Sequence, residues 1–396
     1  MSANKAVTAI VGFTKTIMKT NIIKKLCLVL ASVLVLFLCA EIGLRLQRPH
    51  RETKDGIQHL PTGKIHDYFY FDTNGCFRIV PHSVGLHRPY EGKTPVSINI
   101  NSQGFRGPEP EANAATRIVF VGDSIVFDGG VTDENTFVRL SEEALNHSLP
   151  EHNRPANCLN LGTTDVGVPQ YLAKVRHHAL LLEPSIIVLG FYLNDSRPPQ
   201  GFLGEDGYST AERRLTHSPL YGLLTIQQLH AMYRRVKFSH DKQLSVRFQW
   251  ADRFGSRRWV DNQEECERLI DEAQYDWGAA WVDGSWDSVE HYLRSIADMC
   301  RQQDVLLVVV CFPASPQVDF AGSFPRLFLP QDTLAKICMG MSVPFLDLLP
   351  ALRNHKDEHL FNDQCHLTSR GNQIVADVLA PWLKAFIIRD RDTPDS

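Results

Sequence analysis

The chain has 396 residues, 43% of them hydrophobic and 22% charged, an ordinary globular composition long enough for one large domain or two to three smaller ones. Its net charge of -4, from 41 basic and 45 acidic residues, gives no electrostatic footing for nucleic acid, and no basic stripe interleaved with aromatics is present. Nine cysteines, scattered without C-x-x-C pairs, exclude a disulfide framework and do not specify a redox compartment.

At the N-terminus, Lys5, Lys15, Lys19, Lys24 and Lys25 precede an uncharged run from Leu26 to Ala40, which Ile22, Ile23, Ile42 and Leu44 extend. Lysines and Glu41 can sit at the two interfaces of such a run. This pattern predicts a basic cytoplasmic segment at 1–25 and a single transmembrane signal anchor at 26–46, with the remainder periplasmic or extracellular. A cleaved signal peptide fits less well, because a cut after Ala40 places Leu38 where a small residue is required. Residues 47–96 are rich in His, Pro and Gly without a sustained period, and read as a stalk or irregular layer.

Four further stretches are continuous apolar runs of strand length. Ile118-Val119-Phe120-Val121 runs into Gly122, Cys158-Leu159-Asn160-Leu161 into Gly162, Ile186-Ile187-Val188-Leu189 leads to Asn194, and Val305 to Val310 is a fourth. Pro344 to Asp347 makes a short fifth, and helical patterns begin near Glu134 and Pro169. Strands alternating with helices predict three α/β/α layers around a mostly parallel five-stranded sheet, with an active site at the carboxyl ends of the strands. An insertion at 197–286 interrupts the pattern and holds Trp250, Trp259, Trp277, Trp281 and Trp286, five of the six tryptophans. These rings could line a substrate-binding cap or form that cap's own core. Charges such as Arg213-Arg214 and Glu264-Glu265 argue against an apolar lipase lid.

Chemistry concentrates at the strand ends and near the C-terminus, in Gly122-Asp123-Ser124, Gly162, Asn194-Asp195 and Asp363-x-x-His366. A serine hydroxyl becomes nucleophilic when an imidazole takes its proton, and that imidazole needs a carboxylate to orient it. Ser124, His366 and Asp363 supply those roles. The backbone N–H groups of Ser124 and Gly162 and the Asn194 side-chain amide are the candidate donors to an oxyanion. An α/β-hydrolase nucleophile elbow fits less well, since Val126 stands where G-x-S-x-G needs its second glycine. His355-Lys356-Asp357-Glu358-His359 matches H-x-x-E-H in letters, but its short polar setting reads as a solvated loop, and the adjacent His177-His178 do not share a helix face. No metal or cofactor is called for.

The order of these pieces resembles the SGNH (GDSL-type) hydrolase superfamily from about Ser97 to Ile387, in its membrane-anchored bacterial form. The resemblance implies a flavodoxin-like hydrolase domain at 97–390, with Ser124 as nucleophile and oxyanion donor, Gly162 and Asn194 as further donors, His366 as base and Asp363 as its orienter. Asn101-Ser102-Gln103-Gly104-Phe105-Arg106-Gly107 also resembles a segment found ahead of the nucleophile in anchored members. Three positions depart from it: Asp128 and Asp165 stand where glycines are usual, and Tyr192 replaces a common glycine. Charges at Asp128 and Asp165 near the mouth are expected to disfavour anionic substrates. The implied activity is a carboxylesterase or acetylesterase acting on small-molecule or glycan esters. Two alternatives are a polysaccharide O-acetyltransferase using the same triad and a noncatalytic scaffold that binds glycans or supports a membrane complex.

Overall fold

The computed structural model describes residues 24–25, 28–44, 58–63, 69–71, 76–87, 95–151, 154–164, 166–196, 262–274 and 276–392, with isolated positions between 220 and 233. It divides into two units. One comprises Met1–Pro49 with Ser218–Val236, and the other His50–His217 with Lys237–Ser396.

The larger unit is organised by five strands: β1 (Thr116–Gly122), β2 (Ala156–Asn160), β3 (Ile186–Tyr192), β4 (Leu306–Phe312) and β5 (Phe345–Asp347). They pair in the order β5-β4-β3-β1-β2, every pairing parallel. Strand order therefore reverses between β1 and β3, the crevice where open α/β sheets carry their ligands. Every residue of β2 and β3 is buried, and so is all of β4 after Leu306. Helices on both faces permit that, and each fully buried Val, Leu or Ile contributes roughly 1.5–3 kcal/mol.

The helices used below are α1 (Ser124–Phe127), α2 (Phe137–Ser148), α3 (Val168–Lys174), α4 (Trp286–Gln302), α5 (Leu329–Gly340) and α6 (Ser369–Asp392). Short α1 is seated by glycines. Gly122 and Gly190 pair in register on β1 and β3, and a Cβ on either would stand 2.2 or 2.4 Å from Val126 Cγ2. Val126 thus uses the space that two glycines leave, which fixes the turn that presents Ser124.

The stretch at 47–96 is not simply an irregular stalk. Gln58–Gly63, Ser83–His87 and Val96–Ile100 form a three-stranded sheet, and Phe69–Phe71 pairs with Phe77–Ile79. Burial alternates along Ser83–His87, but the inward residues are Ser83, Gly85 and His87. A strand whose inner face is not apolar leaves no hydrophobic period to read. Arg106 bridges both Ile100 and Asn160, tying this outer sheet to β2.

Three of the insertion's tryptophans, Trp277, Trp281 and Trp286, belong to the main core or pack against it. Trp277 and Trp281 pack edge to face at 5.8 Å within the main core, and Trp286 stacks on Phe191 of β3 at 5.7 Å. Trp250 and Trp259, with most of 197–261, lie outside the described residues.

In the smaller unit, residues 28–44 are helical, with Leu28, Val29, Leu30, Val33, Leu34, Val35, Leu36 and Ile42 exposed. The Thr225 backbone N–H and hydroxyl both donate to Glu41 Oε2 at 2.8 Å, which buries this carboxylate. Among the described residues no helix is long and apolar enough to cross a membrane.

Candidate active site

Ser124 opens α1 directly after β1. Asp123 caps that helix, its Oδ1 accepting from the Ile125 N–H at 2.8 Å. The Ser124 N–H is then among the first-turn donors that lack an intrahelical acceptor. From the other end of the chain, the loop between β5 and α6 brings His366 to the serine. The Ser124 hydroxyl donates to His366 Nε2 at 3.0 Å, and His366 Nδ1–H donates to Asp363 Oδ2 at 2.7 Å. Ser124 and His366 are 242 positions apart in sequence.

Asp363 is held by its neighbours as well. Its Oδ1 accepts from the backbone N–H groups of Cys365 at 2.9 Å and His366 at 2.7 Å. Burial pushes the Asp363 carboxyl up, but the charge and hydrogen bonds of His366 outweigh it and leave its pKa lowered. Burial likewise opposes charging of the His366 ring, yet the Asp363 carboxylate raises its pKa well above the ordinary imidazole value. Such a pairing stabilises the imidazolium that forms when serine gives up its proton.

Asn194 lies just past β3, one strand over from Ser124. Its turn is fixed by Asp195, which accepts from the Tyr192 N–H at 3.0 Å and the Tyr171 hydroxyl at 2.7 Å. Asn194 itself is half-buried, and its Oδ1 has no hydrogen-bond partner among the described residues.

The expected role of Gly162 is corrected by its contacts. Its N–H already donates to Asn160 Oδ1 at 2.9 Å, so it is not offered to a substrate. A Cβ here would stand 2.1 Å from the Phe127 amide nitrogen, so the glycine lets the loop pack against α1. Asp128 also differs from expectation, because it is only 2% exposed and cannot present a charge at the mouth. Asp165 lies outside the described residues. Tyr192 is buried with its hydroxyl unpartnered among the described residues, and burial drives its pKa well up.

Two features had no counterpart among the candidate residues. Arg106 is buried and clamps the chain after α1: Nε meets Asp133 Oδ1 at 2.8 Å, while the other nitrogens donate to the carbonyls of Phe127 and Val131 at 2.6 Å and of Asp128. Its signal in the sequence was the Asn101–Gly107 segment, which named no role for it. Cys365 is buried 3.4 Å from His366 Nδ1, and burial pushes its thiol up to about 12. Asp363, Cys365 and His366 offer ligand atoms within 4.8 Å of one another, but Asp363 and His366 spend theirs on each other. His355 pairs with Glu358 at 2.8 Å, and Arg370 pairs with the same carboxylate, in an exposed cluster.

No family model matches the chain, and no curated protein does. Solved structures similar to it include a lipolytic protein of the G-D-S-L family from Desulfitobacterium hafniense DCB-2, at 9% identity over 67% of this chain and 98% of that one, TM-score 0.35. Others are a lipase/acylhydrolase from Enterococcus faecalis (13%, 68% and 96%, TM-score 0.39) and an acetylxylan esterase from Geobacillus stearothermophilus (13%, 67% and 93%, TM-score 0.37). Likeness of that degree carries no weight for the chemistry of this chain.

Proposed function

We propose that the protein is a serine-dependent ester hydrolase of the SGNH kind, working through an acyl-enzyme. The observation that carries this reading is the hydrogen-bonded chain from Ser124 Oγ through His366 to Asp363, at 3.0 and 2.7 Å. Ser124 Oγ attacks the ester carbonyl carbon while His366 Nε2 takes its proton; the ring then protonates the departing alcohol, and water activated by the same nitrogen releases the acid. The Ser124 N–H and the Asn194 amide meet the oxyanion, without Gly162.

The substrate class is an acyl ester carried on a small molecule or a glycan. Anchoring belongs to the same reading: residues 26–46 hold the catalytic unit at a membrane, outside the cytoplasm. The lysines ahead of this segment and the exposed apolar side chains of 28–44 support it.

A fluorophosphonate probe should label the wild-type chain and not Ser124→Ala, with esterase activity toward p-nitrophenyl acetate falling at least about 10^4-fold in the variant. Absence of labelling in folded wild type would favour the noncatalytic scaffold. Washing membranes with alkaline carbonate should leave the chain in the pellet; its release into the supernatant would end the anchor proposal.

A further inference from the structure

Asp128 takes no part in the hydrogen-bonded chain just described, yet the fold holds it beside that chain at some cost. Its backbone is left-handed, φ 58°, a region few non-glycine residues adopt and that aspartate tolerates better than most. Its N–H donates to the Ser124 carbonyl at 2.8 Å, so one helical turn places the two residues on the same side of α1. The carboxyl is buried, and Oδ2 has no hydrogen-bond partner among the described residues.

An unpaired buried carboxylate is costly unless a charge answers it. Two cations act on Asp128, Arg106 and His366, and Asn372 of α6 adds a weaker polar contact. Arg106 has its nitrogens committed to Asp133 and to three backbone carbonyls. The other titratable groups around the turn are Asp363 and Cys365, which flank His366, and His87 of the outer sheet, whose Nε2 lies 3.0 Å from where a Cβ on Gly129 would stand.

Resting on the hydrolase reading, we infer that Asp128 is a positioning residue for His366, its carboxylate meeting from the α1 side the positive charge that the imidazole gains from Ser124. The step balances simply: the Oγ–H bond breaks, an Nε2–H bond forms, and the ring's new charge is met by two carboxylates, Asp363 through its hydrogen bond at Nδ1 and Asp128 through its field. Burial pushes the Asp128 carboxyl up to about 7, so it changes charge near neutrality, while the His366 pKa stands well above the ordinary imidazole value. Above that range Asp128 is ionised and favours the protonated ring; below it, the support is lost.

The test is a nuclear magnetic resonance titration of the His366 ring in the full-length chain, comparing wild type with Asp128→Asn. Asparagine keeps the shape and accepts the left-handed backbone while removing the charge. The His366 midpoint should fall by about one pH unit, the size expected for loss of a nearby opposite charge. The rising limb of fluorophosphonate labelling against pH should move down with it, and the plateau rate should drop by about tenfold. Asp128→Gly, at ease at this φ, should behave as Asp128→Asn does, and it carries the test if the asparagine variant does not fold. An unchanged His366 midpoint in a folded variant would overturn the inference. Absence of labelling in wild type alongside a shifted midpoint would instead remove the hydrolase reading and leave the Asp128–His366 link standing.

Discussion

The turn after α1 and the loop before α6 each place an aspartate beside the same imidazole, and the two carboxyls end in opposite states. Asp363 accepts from two backbone N–H groups and from His366 Nδ1, and its pKa lies below the ordinary carboxylate value despite burial. Asp128 leaves Oδ2 unpartnered among the described residues, and burial lifts it to about 7 against the pull of Arg106, His366 and Asn372. Both are desolvated, so desolvation does not distinguish them. What differs is the His366 charge held directly against Asp363 and, after it, the N–H donors aimed at each carboxylate, and together these set which is an anion throughout and which titrates near neutrality.

The largest effect should come from the permanently charged partner. Asp363→Asn keeps the shape but cannot hold the Nδ1–H tautomer, and the rate of fluorophosphonate labelling should fall by about 10^4-fold. A loss below about tenfold would mean that another group orients His366, and the contrast between the two aspartates would collapse. Asn194→Ala removes a donor rather than a charge, and should cost about 10^2- to 10^3-fold in kcat for ester hydrolysis with little change in KM. An equal loss through KM alone would place Asn194 in ground-state binding.

The same contrast explains how far the sequence could be read. The five strands were legible because parallel strands buried on both faces are continuous apolar runs, as Ile186–Tyr192 is. Ser124, Asp363 and His366 could be chosen because an activated serine needs those side-chain types, and the structure brings them together across the sheet end. Hydrogen-bond partners were not legible. Asn160 looks like one more strand residue, yet its side chain takes the Gly162 N–H and so removes that glycine from the oxyanion donors. Arg106 stood in the Asn101–Gly107 segment with no role attached, and only the folded chain shows it closing on three carbonyls. The outer sheet escaped because Ser83, Gly85 and His87 face inward, and the Trp-rich stretch misled because Trp277 and Trp281 serve the main core.

The smallest expected effect on the reaction, and the sharpest test of the contrast, is the pH dependence of stability in Asp128→Asn. A carboxyl whose pKa is raised on folding contributes stability that is fully present below its unfolded value and is lost as pH rises through the folded value. For Asp128 that window runs from 3.8 to about 7. Above it the folded chain carries a buried carboxylate at a cost of at most about 4 kcal/mol, which relaxation reduces. Urea unfolding should therefore find Asp128→Asn more stable than wild type at pH 8, with the advantage shrinking toward pH 4. His366 works in the same sense, since its raised pKa also yields stability that fades as pH climbs. In the variant that contribution is smaller, because the lost anion lowers the imidazole pKa, so the advantage at high pH belongs to Asp128 and not to the ring. Asp363→Asn should show the reverse slope. Its lowered carboxyl stabilises the fold above the unfolded value and loses that contribution as pH falls through the folded one, so the variant's deficit should be greatest near neutrality and vanish in acid. Parallel curves for the two variants would show that the His366 charge and the N–H donors do not separate the two carboxyls after all.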